Sequence, residues 1–515
     1  MNNSTKYPVD IQDFEKIRRE DYVYVDKTAL IWQLINSGCY YFLSRPRRFG
    51  KSLLLSTIAA WFQGKKELFE GLAITDLAGE CPEEHPVLYL DLSNQTCTDV
   101  QVFDMVLNNQ LNIWEEQYGK REDESLPSLR FGGIIQRAYN KIQKKVVILI
   151  DEYDKPLLDA LDNEKLRETC HIVLHDVYST LKKYDRYIEF AMLTGVTRFS
   201  KLSIFSGLNN LDDISMNAAY ATICGITAGD LETYFVSGLE ELARKNDLSM
   251  EEVRARLQRQ YDGYMFARGS ERVYNPFSLL KALRTGEFND YWFATGTPTF
   301  LVEMLARENF DLENLPNRPV REGQLDALDS LSSNPLPILY QSGYLTIDHC
   351  DDLGYYLRFP NEEVERAFLY ELLPRYAGRK DSDELLGSLI RAIRAGEPET
   401  FMRQLEALLA DIPYEHKPVE AYFRNLFFII FRLIVFYCEV EHPVAGGRSD
   451  VVIKTGKYIY VLELKVDQSA EAALQQIEEK GYAAPYVSDP RKLFKLGVNF
   501  STKSKWVDGW RIAEA

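Results

Sequence analysis

Short apolar runs separated by helical-period stretches organise the N-terminal part of the chain. Tyr41-Phe42-Leu43, Val87-Leu88-Tyr89-Leu90, Val146-Val147-Ile148-Leu149-Ile150 and Ile188-Glu189-Phe190-Ala191-Met192-Leu193 each read as a strand. The third is a continuous β-branched run, the composition of a strand covered on both faces. Before the first strand, Tyr22-Val23-Tyr24-Val25 is extended, and Asp26-Lys27-Thr28 opens a helix carried by Leu30, Ile31, Leu34 and Ile35. Helical spacing is expected over 52–75, over most of 100–143 with an acidic turn at Glu122-Asp123-Glu124, and near 165–183. Strands alternating with helices predict a parallel sheet.

Past residue 210 the alternation stops. Thr227-Ala228-Gly229-Asp230 and Asn275-Pro276 read as helix starts. Residues 338–347 pass from helix to strand, Asp351-Asp352-Leu353-Gly354 makes a turn, and Tyr355–Phe359 returns as a second strand. Helix, hairpin, helix is a winged-helix-like pattern. Its wing is acidic and unsuited to DNA phosphates, so it is expected to read nucleotide state. Residues 362–413 are helical. Near the end, Gly446–Ile453 and Tyr458–Lys465 form two strands around Gly456-Lys457, a two-residue turn of expected type II′.

Composition sets the scale. With 515 residues the chain needs more than one core. A hydrophobic fraction of 46% with 27% charged residues is that of an ordinary globular protein. The net charge of −17 argues against a general nucleic-acid coat. Residues 444–515 carry 11 Lys+Arg against 9 Asp+Glu and are the least acidic part. Seven cysteines without C-x-x-C spacing, and six scattered histidines, form no zinc pattern. The polar N-terminus lacks a signal-peptide core, and the run near Leu426–Val440 is too short and too charged to span a bilayer. A cytoplasmic protein without membrane partners is expected.

The chemistry begins at Arg45-Pro46-Arg47-Arg48-Phe49-Gly50-Lys51-Ser52-Leu53, between the first strand and its helix. Gly50-Lys51-Ser52 ends the phosphate-loop pattern G-x-x-x-x-G-K-[ST], with Arg45 where the first glycine belongs. Backbone N–H groups cradle phosphates, the lysine meets the terminal phosphates and the serine ligates Mg²⁺. Asp151 at the end of the third strand is the expected second Mg²⁺ ligand, and Glu152 the residue that activates water. Thr194, at the tip of the neighbouring strand, is placed to sense the terminal phosphate. Arg198 beyond it is a candidate contact to the nucleotide of a neighbouring subunit, which implies a homo-oligomer. ATP and Mg²⁺ are the expected cofactors.

A second constellation lies near the C-terminus. With a two-residue turn at Gly456-Lys457, Asp450 pairs with Glu463, and Lys465 projects from the same sheet face. Two carboxylates and a lysine can hold Mg²⁺ and activate water for phosphodiester cleavage. Gln475-Gln476 on the following helix offers a glutamine to the site, and Glu420 an outer metal ligand.

On these motifs the chain resembles bacterial proteins that join an AAA-ATPase-like domain to a C-terminal PD-(D/E)XK nuclease-superfamily domain. The resemblance rests on Tyr24–Thr28, Arg45–Ser52, Leu149–Asp154, Leu345-Thr346, Pro360–Val364, Gly447–Asp450, Glu463-Leu464-Lys465 and Gln475-Gln476-Ile477. It covers nearly the whole chain, and Arg45 looks like a habit of that family. It implies ATP binding and a Mg-dependent DNase fold with DNA as partner, and it favours Gln476, just before Ile477, over Gln475. The expected class is α/β. A P-loop NTPase core with a parallel sheet spans 1–210, a helical lid and winged-helix-like unit 211–365, a helical connector 366–415, and an α/β restriction-endonuclease-like domain 416–515. The expected function is an ATP-hydrolysing switch that regulates a DNA nuclease, with defence against foreign DNA suggested by architecture alone. A scaffold ATPase with an inactive nuclease fold, or a DNA-translocating motor, are the alternatives. The acidic N-terminal region disfavours the motor.

Overall fold

The computed structural model describes residues 5–79, 83–93, 95–160, 163–198, 210–292, 305, 310–312, 314–315, 318–326, 334–409, 420–441, 450–501 and 506–514. The chain divides into two compact units, Met1–Ala294 with Pro319–Asn361, and Thr295–Arg318 with Glu362–Ala515.

The first unit is built on a parallel sheet of β1 (Tyr40–Ser44), β2 (Val87–Asp91), β3 (Val146–Asp151), β4 (Ile188–Gly195) and β5 (Asp212–Asp213), in the order β2-β3-β4-β1-β5. All six residues of β3 are buried, as its unbroken apolar run requires. Ile148 and Ile150 join one core with Phe103, Leu107, Phe131, Ile135, Leu174 and Tyr178 from helices Val100–Tyr118, Pro127–Ile142 and Glu164–Lys183. The helix Lys51–Phe62 also packs on the sheet. Because β4 lies between β1 and β3, residues 194–198 emerge between the phosphate loop and the Asp-Glu tip.

Two local expectations change here. The helix after the loop does not run to residue 75. It ends at Phe62, Gly64 takes φ +70°, and a turn of 3-10 helix (Lys66–Phe69) and a short helix (Ala73–Ala78) follow. The break lets Phe69 pack on Trp61 and Phe14, 5.1 and 4.9 Å between ring centres. The sheet also continues past residue 210, because β5 pairs with Tyr41 and Phe42 of β1. Two residues are too few to leave a periodic signal.

Helices Ala228–Tyr234, Val236–Asn246, Met250–Tyr261 and Pro276–Thr285 enclose a separate core that includes Tyr7 and Val9. Thr227/Asp230 and Ser249/Glu252 form capping boxes at two of their starts, which satisfies N–H groups left open by helix geometry. Helix Leu336–Gln341 leads into the antiparallel hairpin β6 (Thr346–Cys350) and β7 (Tyr355–Arg358). Asp351 accepts the turn N–H groups of Leu353 and Gly354. The helix after this hairpin, Glu362–Ala377, groups with the second unit.

That second unit holds helices Glu362–Ala377, Ser382–Ala395, Pro398–Leu409 and Glu420–Val435, and a sheet ordered β12-β11-β10-β9-β8. Its strands are β8 (Glu439–Glu441), β9 (Asp450–Lys454), β10 (Tyr458–Val466), β11 (Lys492–Ser501) and β12 (Trp506–Glu514). β10 and β11 are parallel, with helix Ala470–Glu479 between them in sequence; the other pairs are antiparallel. Residues 446–449, expected to begin β9, lie outside the described residues. The β9–β10 turn has two residues, but it is not type II′, since Gly456 lacks the positive φ its first position demands. Thr455 Oγ1 instead accepts the Tyr458 N–H at 2.9 Å. Among the described residues, six cysteines are free thiols, and no helix is long and apolar enough to cross a membrane.

Candidate nucleotide and nuclease sites

The loop between β1 and its helix has the shape of an anion cradle. Gly50 (φ +89°) precedes the helix, and no side chain caps the first turn. A Cβ at Gly50 would meet nothing within 4 Å, so the backbone there opens to space. Twelve residues of helix follow, and their first N–H groups are free of side-chain caps. Arg48 also takes a positive φ, +71°, pairs with Asp10, and lies 4.8 Å from the Phe277 ring. Phe49 is buried against Tyr264 and Phe266. The Arg47 carbonyl accepts the Trp292 indole N–H at 3.1 Å. Pro46 is buried, and Leu53 and Ser52 are half-buried on the first helical turn.

Arg45 has a different role from the loop residues after it. Its side chain is 1% exposed, donates to the carbonyls of Ser44 (2.8 Å), Ser215 (2.8 Å) and Tyr220 (3.2 Å), and stacks 4.1 Å from the centre of Phe266. Burial pulls its pKa down to about 10, which leaves it cationic at neutral pH. Arg45 does not take a positive φ, so no glycine is required there.

Lys51, 3% exposed, brings the two halves of the site together. Its ammonium donates to the carbonyls of Arg45 (3.1 Å) and Pro46 (3.3 Å) and lies 3.2 Å from Glu152 Oε1. Asp151 is buried, accepting the Thr194 hydroxyl at 2.6 Å and the Tyr89 hydroxyl at 3.3 Å. Glu152 takes φ +50°, a left-handed conformation uncommon for a non-glycine residue. Ser52 and Tyr89 line a cavity of about 330 Å³ with Gln12, Asp13, Ser56 and Val87. The residues present thus fit a Mg-nucleotide: an open N–H cradle, a lysine, and a serine and an aspartate with hard oxygen donors. Arg198 is turned inward. It pairs with Asp213 at 2.6 Å, and its N–H bonds the Gln341 side chain at 2.7 Å. Sequence reasoning did not single out Tyr89; its place on β2, beside Asp151's strand, was the available signal.

In the second unit Asp450 and Glu463 are register partners, as the two-residue turn requires. Glu463 is 2% exposed, and Gln476 Nε2 donates to its Oε1 at 2.6 Å. Lys465 Nζ lies 3.4 Å from the same oxygen and donates to Gln476 Oε1. Gln475 faces away and bonds Glu479 at 2.7 Å. Glu420 starts helix Glu420–Val435. The side chains of Asp450 and Glu420 lie outside the described residues, and among the described residues no three His, Cys, Asp or Glu gather as a metal site. The Glu463 donor chemistry suits a hard cation. One supporting residue went unnoticed in the sequence. Gly497 pairs with Glu463 across β10–β11, and a Cβ there would lie 2.3 Å from the Ala470 carbonyl and 2.7 Å from the Leu474 N. Its missing side chain lets helix Ala470–Glu479 approach the sheet and deliver Gln476.

Fold and site together define a unit with a P-loop-like strand, loop and helix on a parallel sheet, and a second unit of nuclease-superfamily type. Residues 8–205 match the family model described as "Predicted AAA-ATPase", and residues 419–510 that of the PD-(D/E)XK nuclease superfamily. A protein of Azotobacter chroococcum mcd 1, described as an uncharacterized protein in the vnfD 5′ region, is 37% identical over 521 residues, covering 98% of each chain. The chain belongs to the family that combines an AAA-ATPase-like domain with a PD-(D/E)XK nuclease-superfamily domain.

Proposed function

We propose that the protein is a cytoplasmic, Mg-dependent ATPase whose nucleotide state regulates cleavage of DNA by its C-terminal domain. The observation that carries this reading is the convergence of Lys51, Glu152, Asp151 and Thr194 at the carboxyl ends of three adjacent strands. Lys51 would neutralise the terminal phosphates, and Ser52 and Asp151 would hold Mg²⁺, which supplies charge stabilisation at the transferring phosphoryl group. Glu152, released from Lys51 when phosphate takes that partner, would accept a proton from the attacking water. In the second unit Glu463 and Asp450 would hold the metal that polarises a phosphodiester, with Glu420 as an outer ligand. Lys465 would stabilise developing charge, and Gln476 would orient Glu463.

A switch that guards a nuclease suits defence against foreign DNA. A second reading, a scaffold ATPase with an inactive nuclease fold, draws on one observation: Glu463 Oε1 is already engaged by Gln476 and Lys465. Purified protein incubated with plasmid, linear and single-stranded DNA, with and without ATP and Mg²⁺ or Mn²⁺, separates them. ATP-dependent cleavage supports regulation. ATP hydrolysis without cleavage under any condition supports the scaffold.

A further inference from the structure

Asp154 follows the Asp151-Glu152 pair by two residues and is completely buried. Its carboxylate accepts the backbone N–H of Val196 at 3.1 Å, the N–H of Thr197 at 2.6 Å and the Thr197 hydroxyl at 2.5 Å. Tyr153 adds two bonds in the same direction, N–H to the Thr194 carbonyl and hydroxyl to the Thr197 carbonyl, each 3.0 Å. Residues 153–154 are therefore stitched to 194–197 along their length. The same β4 tip is fastened to the start of the phosphate loop: Ser44 Oγ donates to the Val196 carbonyl at 2.6 Å, and the Arg45 N–H to the Gly195 carbonyl at 3.1 Å.

Gly195 shows how tight the junction is. A Cβ there would lie 2.6 Å from Asp154 Oδ1 and 2.6 Å from Tyr153 Cδ1. A buried carboxylate is costly unless donors compensate it, and polar groups in such places usually fix one arrangement among several. The arrangement fixed here holds Glu152 in its left-handed conformation, 3.2 Å from the loop lysine. A non-glycine residue in that conformation persists only when its surroundings over-determine it.

We propose that Asp154 is a positioning residue for ATP hydrolysis: by clamping the β4 tip to the β3 tip it fixes where Glu152 stands relative to the phosphate loop. The assignment rests on the reading of this unit as an ATPase. Asp154 touches neither nucleotide nor water in this scheme. It acts through Glu152. Glutamate at 152 needs its place only for the hydrolytic step, so loosening the clamp should spare nucleotide binding.

Asp154→Asn keeps the shape but turns an amide N–H₂ toward at least one backbone donor. In the full-length protein it should lower kcat at least tenfold while affinity for a labelled ATP analogue stays within threefold. Thr197→Val, which removes only the hydroxyl donor, should lower kcat about threefold with affinity unchanged, and serves if Asp154→Asn does not fold. The decisive readout is coupling. In a Glu152→Gln background, adding either substitution should leave turnover no slower than Glu152→Gln alone. Affinity falling in parallel with kcat, or a further loss in the double variant, would show a merely structural role and overturn the inference. A parent that hydrolyses ATP, with kcat unmoved in both single variants, overturns this inference alone; a parent that never hydrolyses ATP overturns the ATPase reading and the inference with it.

Discussion

Replacing Gly497 by alanine tests how the second unit's site is assembled. The new Cβ would lie 2.3 Å from the Ala470 carbonyl oxygen and 2.7 Å from the Leu474 N, both backbone atoms of helix Ala470–Glu479 and its start. Neither can rotate away, so the helix must back off by about 1 Å to restore ordinary contact. Overpacking of this kind costs about 1–3 kcal/mol, which for a unit of this size lowers its melting temperature by roughly 2–10 °C. The more telling effect is chemical. The helix carries Gln476, whose amide is 2.6 Å from Glu463 Oε1, and a 1 Å retreat takes that bond beyond useful length. Glu463 would then be a buried carboxylate missing one donor. Thermal unfolding with and without Mn²⁺, alongside a plasmid-cleavage assay, reads both consequences. An unchanged melting temperature with parental cleavage would refute the claim that Gly497 sets the helix-to-sheet distance.

Lys51→Ala should weaken ATP-analogue binding by about 1–3 kcal/mol, the scale of a lost charge-assisted contact, whereas Glu152→Gln should bind normally and lose hydrolysis down to a slow, measurable residual rate; equal binding by Lys51→Ala and parent in a titration would dismiss the loop assignment. Asp450→Ala should abolish metal-dependent DNA cleavage with ATP binding intact, and cleavage at the parental rate would count decisively against the Asp450–Glu463 pair. Arg45→Gly restores the strict loop motif yet should destabilise the first unit by about 3 kcal/mol and weaken ATP binding, because it orphans the carbonyls of Ser215 and Tyr220; tighter binding by this variant would contradict the role given to the guanidinium. Burial pushes Asp154 up to about 6, with the Glu152 charge adding to the rise. Since the folded protein then holds this proton to higher pH than the unfolded chain, the group's stabilising contribution is complete below about pH 4 and is lost as pH rises through 6. Denaturant titrations at pH 4 and 6 should show the parent losing about 2 kcal/mol more than Asp154→Asn across that interval, and equal losses would remove Asp154 as the source.

The strand-borne parts of both sites were legible because they depend on local pattern. An unbroken apolar run ending in Asp151-Glu152 can be little other than a central strand with acids at its tip. A two-residue turn fixes strand register arithmetically, so Asp450 opposite Glu463 followed from chain spacing. Gln476 rather than Gln475 came from the resemblance, and the helix phase agrees. What stayed hidden depends on groups that meet only after folding. β5 is two residues long and owes its existence to the edge of β1. Gly497 looks like any strand glycine until a helix is laid across it. Asp154 sits in the quoted motif, yet its partners lie more than forty residues away. The Gly456 turn was mistyped because Thr455, not glycine conformation, supplies the closing bond.

Arg45 shows how the loop keeps its shape without its first glycine. In the usual pattern that glycine makes a tight turn and lets the backbone approach phosphate. Here the chain leaves β1 with Arg45 in an ordinary backbone conformation, and its long side chain runs back into the protein. The guanidinium fork reaches carbonyls of the segment after β5, and its face rests on Phe266, so one cation ties the loop to two distant stretches of the same unit. Phe49 packs on that same ring and on Tyr264, and the Trp292 indole holds the Arg47 carbonyl. The loop's shape is therefore imposed from outside by residues 215–292 rather than written into its own flexibility. Any movement of the loop on binding phosphate, as proposed, would be felt at those contacts. The helical part of the first unit is thus mechanically joined to the loop proposed to hold the nucleotide, which is what the proposed switch requires and a simple phosphate-binding turn would not provide.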